Sequence, residues 1–259
     1  AEVGAGWLDA VRTDVDKPGW LLMDFRWAPV PALEFGLSRV SIFGGVDRPP
    51  PKIGQLILPT DPHVYDDPAQ SLPDQDEMAA FDLRLTLPVG KWLGVPSDPA
   101  ALAWHYLEVW TQYGGEDVIA RSVGPIPVPA LAGIANLWGA EIGFGPLAAN
   151  VEWARVLDDQ FRWYTGHRIY HQGFVQDGLV MGHPSGGDSR TWNAAVRWMT
   201  ETWGMELLAE DQLRVGGVDV AQGLLRTFSF DEQAHGLGLR GWWKQANERW
   251  WYAGMSVEQ

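Results

Sequence analysis

Trp20-Leu21-Leu22-Met23-Asp24-Phe25-Arg26-Trp27 decides the fold class. Leu21, Met23, Phe25 and Trp27 share one side, and Leu22, Asp24 and Arg26 take the other. Residues two apart lie on nearly opposite sides of a helix but on the same side of a strand. Only an extended strand sorts these charges from their apolar neighbours.

Working outward, the same period recurs. Phe81, Leu83, Leu85 and Leu87 oppose Asp82, Arg84 and Thr86; Ala149, Val151 and Trp153 oppose Asn150 and Glu152; Trp192, Ala194, Val196 and Trp198 oppose Asn193, Ala195 and Arg197. Read this way, the chain carries about twelve strands. They run over Val3–Val11, Trp20–Trp27, Leu33–Phe43, Ala79–Leu87, Leu102–Trp110, Leu131–Phe144, Ala148–Leu157, Arg190–Glu201 and Met205–Leu213, with weaker ones near Leu224–Phe230, Leu237–Lys244 and Trp250–Val257. Tight turns are expected at Ala28–Pro31, Gly145-Pro146 and Trp203-Gly204, and longer loops over Gly44–Met78, Gly114–Pro129 and Asp158–Ser189. No repeat, low-complexity tract or linker divides the 259 residues, which read as one domain, 1–259.

Two all-β architectures alternate in this way, a soluble sandwich and a barrel. The sandwich hides its apolar faces in a core. Here those faces hold much of the 16 Trp, while the polar faces carry opposite charges at period two, as in Asp24 with Arg26 and Asp82 with Arg84. Aromatic girdles outside and a charged lumen inside explain both features, so the expected fold is an antiparallel outer-membrane β-barrel with short turns at one end and long extracellular loops at the other. No run approaches the ~20 apolar residues of a membrane helix, and a closed barrel is the other way to satisfy backbone groups in lipid. The 30 Gly and 18 Pro suit many turns. Cysteine is absent, which removes disulfides and thiolate metal sites. A net charge of −14 argues against a nucleic-acid partner.

The long loop His167–Arg190 is the candidate site. Tyr and Trp offer rigid apolar planes with a polar handle for sugar faces, and Arg offers a fork for carboxylates and hydroxyls. Trp163, Tyr164, Arg168, Tyr170, His171, His183, Asp188 and Arg190 supply this mixture as candidate polysaccharide contacts. Trp163 and Tyr164 fit an aromatic girdle equally well, and Gly182, Asp188 and Arg190 could simply fold the loop. The spacing of His167 and His171 would pair imidazoles only on a helix, which this Gly-rich segment does not suggest, so neither metal nor cofactor is expected. Asp158 with Asp159, or Glu152 with Asp158, would be the carboxylate pair of a glycosidase, but nothing around them suggests a raised pKa. No catalytic residue is assigned.

His167, Ile169, Tyr170, Gly173, Phe174, Gly178, Met181, Gly182, His183, Asp188, Ser189 and Arg190 form a pattern that resembles the signature of the Wzi-type capsule assembly proteins. Pro31–Arg39 (PALEFGLSR), Phe43-Gly44-Gly45, Ala80–Leu85 (AFDLRL) and Val151–Ala154 (VEWA) are similar to further family segments in the same order. Arg155 stands where the family usually has Asp. The resemblance covers most of Pro31–Arg190 and mainly the C-terminal part of the family's chain, so a fragment or N-terminally shortened member is expected. It implies an outer-membrane barrel acting as a non-catalytic surface lectin, which anchors capsular polysaccharide or exopolysaccharide and contacts outer-membrane lipid. The alternatives are a carbohydrate hydrolase and a diffusion channel.

Overall fold

The computed structural model describes residues 1–8, 12, 14–48, 51, 75–95, 105–123, 126–157, 163–164, 169–176, 179–215, 218–221, 224–227, 231–244 and 250–258. The described residues are almost wholly β. Its strands are β1 (Glu2–Trp7), β2 (Gly19–Val30), β3 (Leu33–Phe43), β4 (Gln75–Leu87), β5 (His105–Val123), β6 (Ile126–Phe144), β7 (Leu147–Val156), β8 (Val175–Gln176), β9 (Leu179–Val180), β10 (Ser189–Met199), β11 (Trp203–Arg214), β12 (Val218–Ala221), β13 (Leu224–Thr227), β14 (Glu232–Lys244) and β15 (Trp250–Glu258). Among the described residues one helical turn, α1 (Val89–Trp92), follows β4.

Among the described residues, eleven strands form one antiparallel sheet in the order β1-β2-β3-β4-β5-β6-β7-β10-β11-β14-β15. Each pairs with its neighbour along the chain, apart from two small hairpins, β8-β9 and β12-β13, that stand outside it. The all-β, antiparallel reading is therefore correct. Several details differ: β4 begins at Gln75, inside the expected loop Gly44–Met78, and β2 runs to Val30, into the expected turn Ala28–Pro31. The described residues of the segment Gly114–Pro129, expected to be a loop, are mostly ladder: pairing runs from Gly114↔Ala135 to Val123↔Ile126 with one break at Glu116, opposite the positive-φ Gly133, where a glycine marks a local irregularity. Of the strand expected near Leu224–Phe230, the described part, Leu224–Thr227, lies in the β12-β13 hairpin rather than in the sheet. Trp203 and Gly204 belong to β11, and the turn before them is held by Thr200, whose Oγ1 donates to Trp203 O at 2.8 Å.

The two faces differ chemically. Cross-strand rows such as Trp27–Phe35–Leu83 and Trp138–Trp153–Trp192 define an apolar face. Phe25, Trp27, Leu37, Phe81, Trp138, Val151, Trp192, Val196 and Leu207 are exposed on it, so these side chains do not form a folded core. The polar face carries the alternate residues. Arg26 bonds Asp24 at 3.0 Å, pairs with Asp82 and stands 3.8 Å from Glu34. The ladder continues through Arg84 with Glu108 at 3.8 Å, and through Glu141, which accepts from Tyr106, Asn150 and Arg197. It ends where Arg197 and Arg240 each stand 3.8 Å from Glu206. Alternating signs across neighbouring strands keep these part-buried charges compensated.

Gly139 shows how the backbone serves this face. It sits between Trp110 of β5 and Glu152 of β7 in one row. A Cβ there would overlap the Trp110 ring. Its absence lets the indole lie across β6 and donate Nε1–H to Glu152 at 3.1 Å.

Candidate functional site

The described residues of the segment between β7 and β10 lie over the polar face at the long-loop end and supply much of the described core. Trp163, Tyr164, Tyr170 and Phe174 cluster with Leu8, Val15, Ile42, Met78, Ala135 and Val156. The apolar side chains Trp20 and Val40 of β2 and β3 pack against this cluster. The segment is thus a plug seated on the sheet, held by packing rather than left as an open loop.

Specific bonds fix it. Tyr170 is fully buried, at 0 % exposure, and its hydroxyl donates to Gly44 O at 3.0 Å. Arg12 and Asp14, from the segment between β1 and β2, form a buried ion pair at 2.9 Å. Asp14 accepts the backbone N–H of Gln172 at 2.8 Å, and Arg12 donates to Gly173 O at 3.1 Å. Burial alone would raise the pKa of Asp14. The hydrogen bonds from Arg12 and from the backbone N–H groups of Gln172 and Val15 outweigh it and hold the carboxyl below its ordinary value.

On the other side of the plug, Tyr164 N–H donates to the buried Glu116 at 3.2 Å, and the Tyr164 hydroxyl accepts the backbone N–H of His183 at 3.0 Å. Burial pushes the Tyr164 hydroxyl up to about 12, so it stays neutral. Gly182 explains part of the signature: a Cβ there would overlap the Tyr164 ring. His183 then bridges plug and sheet, with Nε2 3.5 Å from Glu152 and Nδ1 2.6 Å from Ser185 Oγ.

Ser185, His183 and Glu152 share the connectivity of a hydrolytic relay. Ser185 is only 4 % exposed, and its Oγ is also 2.9 Å from Ser189 Oγ. A nucleophile needs an approach for its substrate. This hydroxyl has none, and its bonds instead close the His183–Ser189 turn. Among the described residues, no group of three or more His, Cys, Asp or Glu side chains is arranged to hold a metal ion.

A cavity of about 320 Å³ lies between plug and sheet. Leu22, Val40, Met78, Leu137 and Met181 give it apolar walls, and Ser38, Gln112 and His183 contribute polar groups. A second, of about 470 Å³, lies nearer the turn end, between Pro31, Thr86, Tyr106, Glu108 and Glu141.

The candidate contacts read from the sequence therefore separate. Trp163, Tyr164 and His183 come together around the first cavity, with Trp163 at 5 % exposure. Asp188 is buried, and its backbone carbonyl accepts from Val215 at 2.9 Å. Tyr170 has no face left for a sugar, and its stacking role is replaced by a packing role. His171 is exposed at the plug surface. Arg190 is exposed too, but on the apolar face of β10 rather than in the loop mouth. Arg168, His167, Asp158 and Asp159 lie outside the described residues, as does most of the 44–78 loop. The sequence reading missed Arg12, Asp14 and Glu116 as plug anchors. A buried ion pair two residues apart in a loop carries no periodic signal that could have found it.

No curated protein matches the chain. The family model for capsule assembly protein Wzi matches residues 1–259, the whole chain, and so reaches well beyond the motifs of Pro31–Arg190.

Proposed function

The chain belongs to the Wzi family of capsule assembly proteins, and from that premise we propose that it is an outer-membrane barrel wall that holds capsular polysaccharide at the cell surface without catalysing a reaction on it. The observation that carries this reading is the exposed apolar face. Phe25, Trp27, Phe81, Trp138, Trp192 and Val196 are bare on one side of a sheet whose other side holds a charge ladder and a packed plug. In water such a face would be a severe liability. Against hydrocarbon it is the ordinary outer surface of a barrel, with the charges turned to the lumen.

In this reading the long-loop end is extracellular, and the plug narrows the lumen there. The polysaccharide meets the accessible rim of the plug, where His171 is exposed and Arg168 is next but two in sequence. Imidazole and guanidinium donors suit sugar hydroxyls and uronic carboxylates. The buried aromatics beneath keep that rim rigid, which lowers the entropy cost of holding a flexible polymer.

Co-sedimentation of purified capsular polysaccharide with the detergent-solubilised protein tests this reading. Replacing Arg168 and His171 together with Ala is expected to abolish capture and to release capsule from cells, with heat-modifiable migration retained. Undiminished capture by that variant would overturn the assignment of the rim.

A further inference from the structure

Register places Arg155 of β7 directly opposite Arg190 of β10. Both are exposed on the apolar face, because their neighbours Ala154, Val156, Ser189 and Thr191 are the buried, polar-face residues of the same strands. Residues directly opposite in an antiparallel pair have Cβ atoms about 5 Å apart, and like charges there repel. Neither guanidinium has an ion-pair partner among the described residues. Their row continues to Asn136 on one side and Leu213 on the other, and neither is acidic. Asp211 stands one row toward the turn end on the same face, and it is engaged by His235 at 2.8 Å and Gln233 at 3.3 Å. In a chain of net charge −14, two arginines directly opposite each other, with Asp211 one row away already engaged by His235 and Gln233, make a local positive spot.

The row just toward the turn end from this pair is Trp138–Trp153–Trp192. The Trp153 and Trp192 rings lie 6.2 Å apart. Tryptophans on a lipid-facing wall settle at the boundary between hydrocarbon and headgroups. The two guanidiniums therefore stand at headgroup height.

We propose that Arg155 and Arg190 form a binding site for the phosphate of a membrane-lipid headgroup, with Trp153 and Trp192 packed against the lipid beneath it. Each guanidinium presents a planar fork that matches phosphate oxygens. An anion between the two relieves the repulsion that the register imposes. The inference rests on the reading that the apolar face meets lipid. It adds a specific lipid contact on the outside of the wall, distinct from the polysaccharide contact at its mouth.

Native mass spectrometry of the detergent-solubilised protein tests it, with phosphatidic acid and diacylglycerol of the same chains as probes, since the two differ only in the phosphate. The wild-type protein is expected to retain phosphatidic acid about ten-fold better than diacylglycerol, and Arg155→Gln with Arg190→Gln to remove that preference. Arg240→Gln, on the polar face, should leave it intact. Equal retention of the two lipids by the wild type, or an undiminished preference in the double variant, would overturn the site. An adduct with inorganic phosphate alone, at the same two residues, would mark an ion site and overturn the lipid assignment. A protein that stays soluble without detergent and takes up neither lipid would remove the membrane reading itself, and this site with it. If the double variant loses heat-modifiable migration, the single variants Arg155→Gln and Arg190→Gln replace it; each is expected to lower the preference for phosphate, and an undiminished preference in both would overturn the site.

Discussion

Asp14 accepts a hydrogen bond from the backbone N–H of Gln172 at 2.8 Å across 158 residues of sequence. This contact fastens the segment after β1 to the plug before β10. With Arg12 it makes a three-way junction in which both charged side chains are 1 % exposed. Removing one partner of a buried pair leaves the other charge uncompensated, which costs about 3 kcal/mol or more. Asp14→Ala is therefore expected to lower the opening free energy of the plug by about that amount. Hydrogen exchange at Gly173 and Phe174, whose N–H groups bond Tyr170 O and Tyr164 O, should accelerate while the sheet amides do not. Unchanged exchange there would refute the junction.

The same carboxyl gives the plug an acid limit. The folded pKa of Asp14 lies below the ordinary value of 3.8, so its stabilisation is fully present above that value and fades as pH falls through the folded pKa. Plug protection should be flat from neutral pH down to about 5 and should drop below about 4. Asp14→Asn should remove this acid dependence. Cleavage of the plug by an acid-stable protease, followed against pH, reads the difference.

Val196 lies exposed in the middle of the apolar face of β10, in a row with Ala149 and Leu207. Val196→Arg is expected to cost about 2–4 kcal/mol in a bilayer, by the depth-dependent penalty for arginine on a lipid-facing wall. Urea unfolding from vesicles measures it. In a protein whose apolar face meets water the same change would be neutral or stabilising, so the sign of the effect decides the environment.

Gly139→Ala puts a methyl group where the Trp110 ring crosses β6. The indole must move, its bond to Glu152 is lost, and overpacking adds strain, for an expected loss of about 1–3 kcal/mol. Trp110→Phe in the same background should recover part of it, because the smaller ring no longer has to cross residue 139. A double-mutant cycle in urea measures the coupling.

The sheet was legible in the sequence because its signal is periodic. Asp24 with Arg26 and Asp82 with Arg84 mark the polar face, and Trp27, Trp138, Trp153 and Trp192 mark the other. The site was less legible. Tyr170 and His171 are adjacent in sequence and have the same sugar-binding chemistry, yet one is fully buried and the other exposed. No period governs a loop, so which of two neighbours turns inward depends on contacts such as Gly44 and Asp14 that lie far away in the chain. Arg190 shows the opposite error. It closes the signature loop in sequence but is already the second residue of β10, where strand alternation assigns it to the apolar face.

The strand count carries a directional consequence. Every pairing in the sheet is antiparallel, so β1 and β15, first and last of eleven, run the same way. A ring built only of antiparallel neighbours needs an even number of staves. Seaming β1 directly to β15 would therefore demand a parallel joint, with evenly spaced, slanted hydrogen bonds instead of alternating pairs. An all-antiparallel ring that includes these eleven strands must set an odd number of further strands between those two edges. Parity alone thus specifies the orientation of whatever lies against β1 and β15.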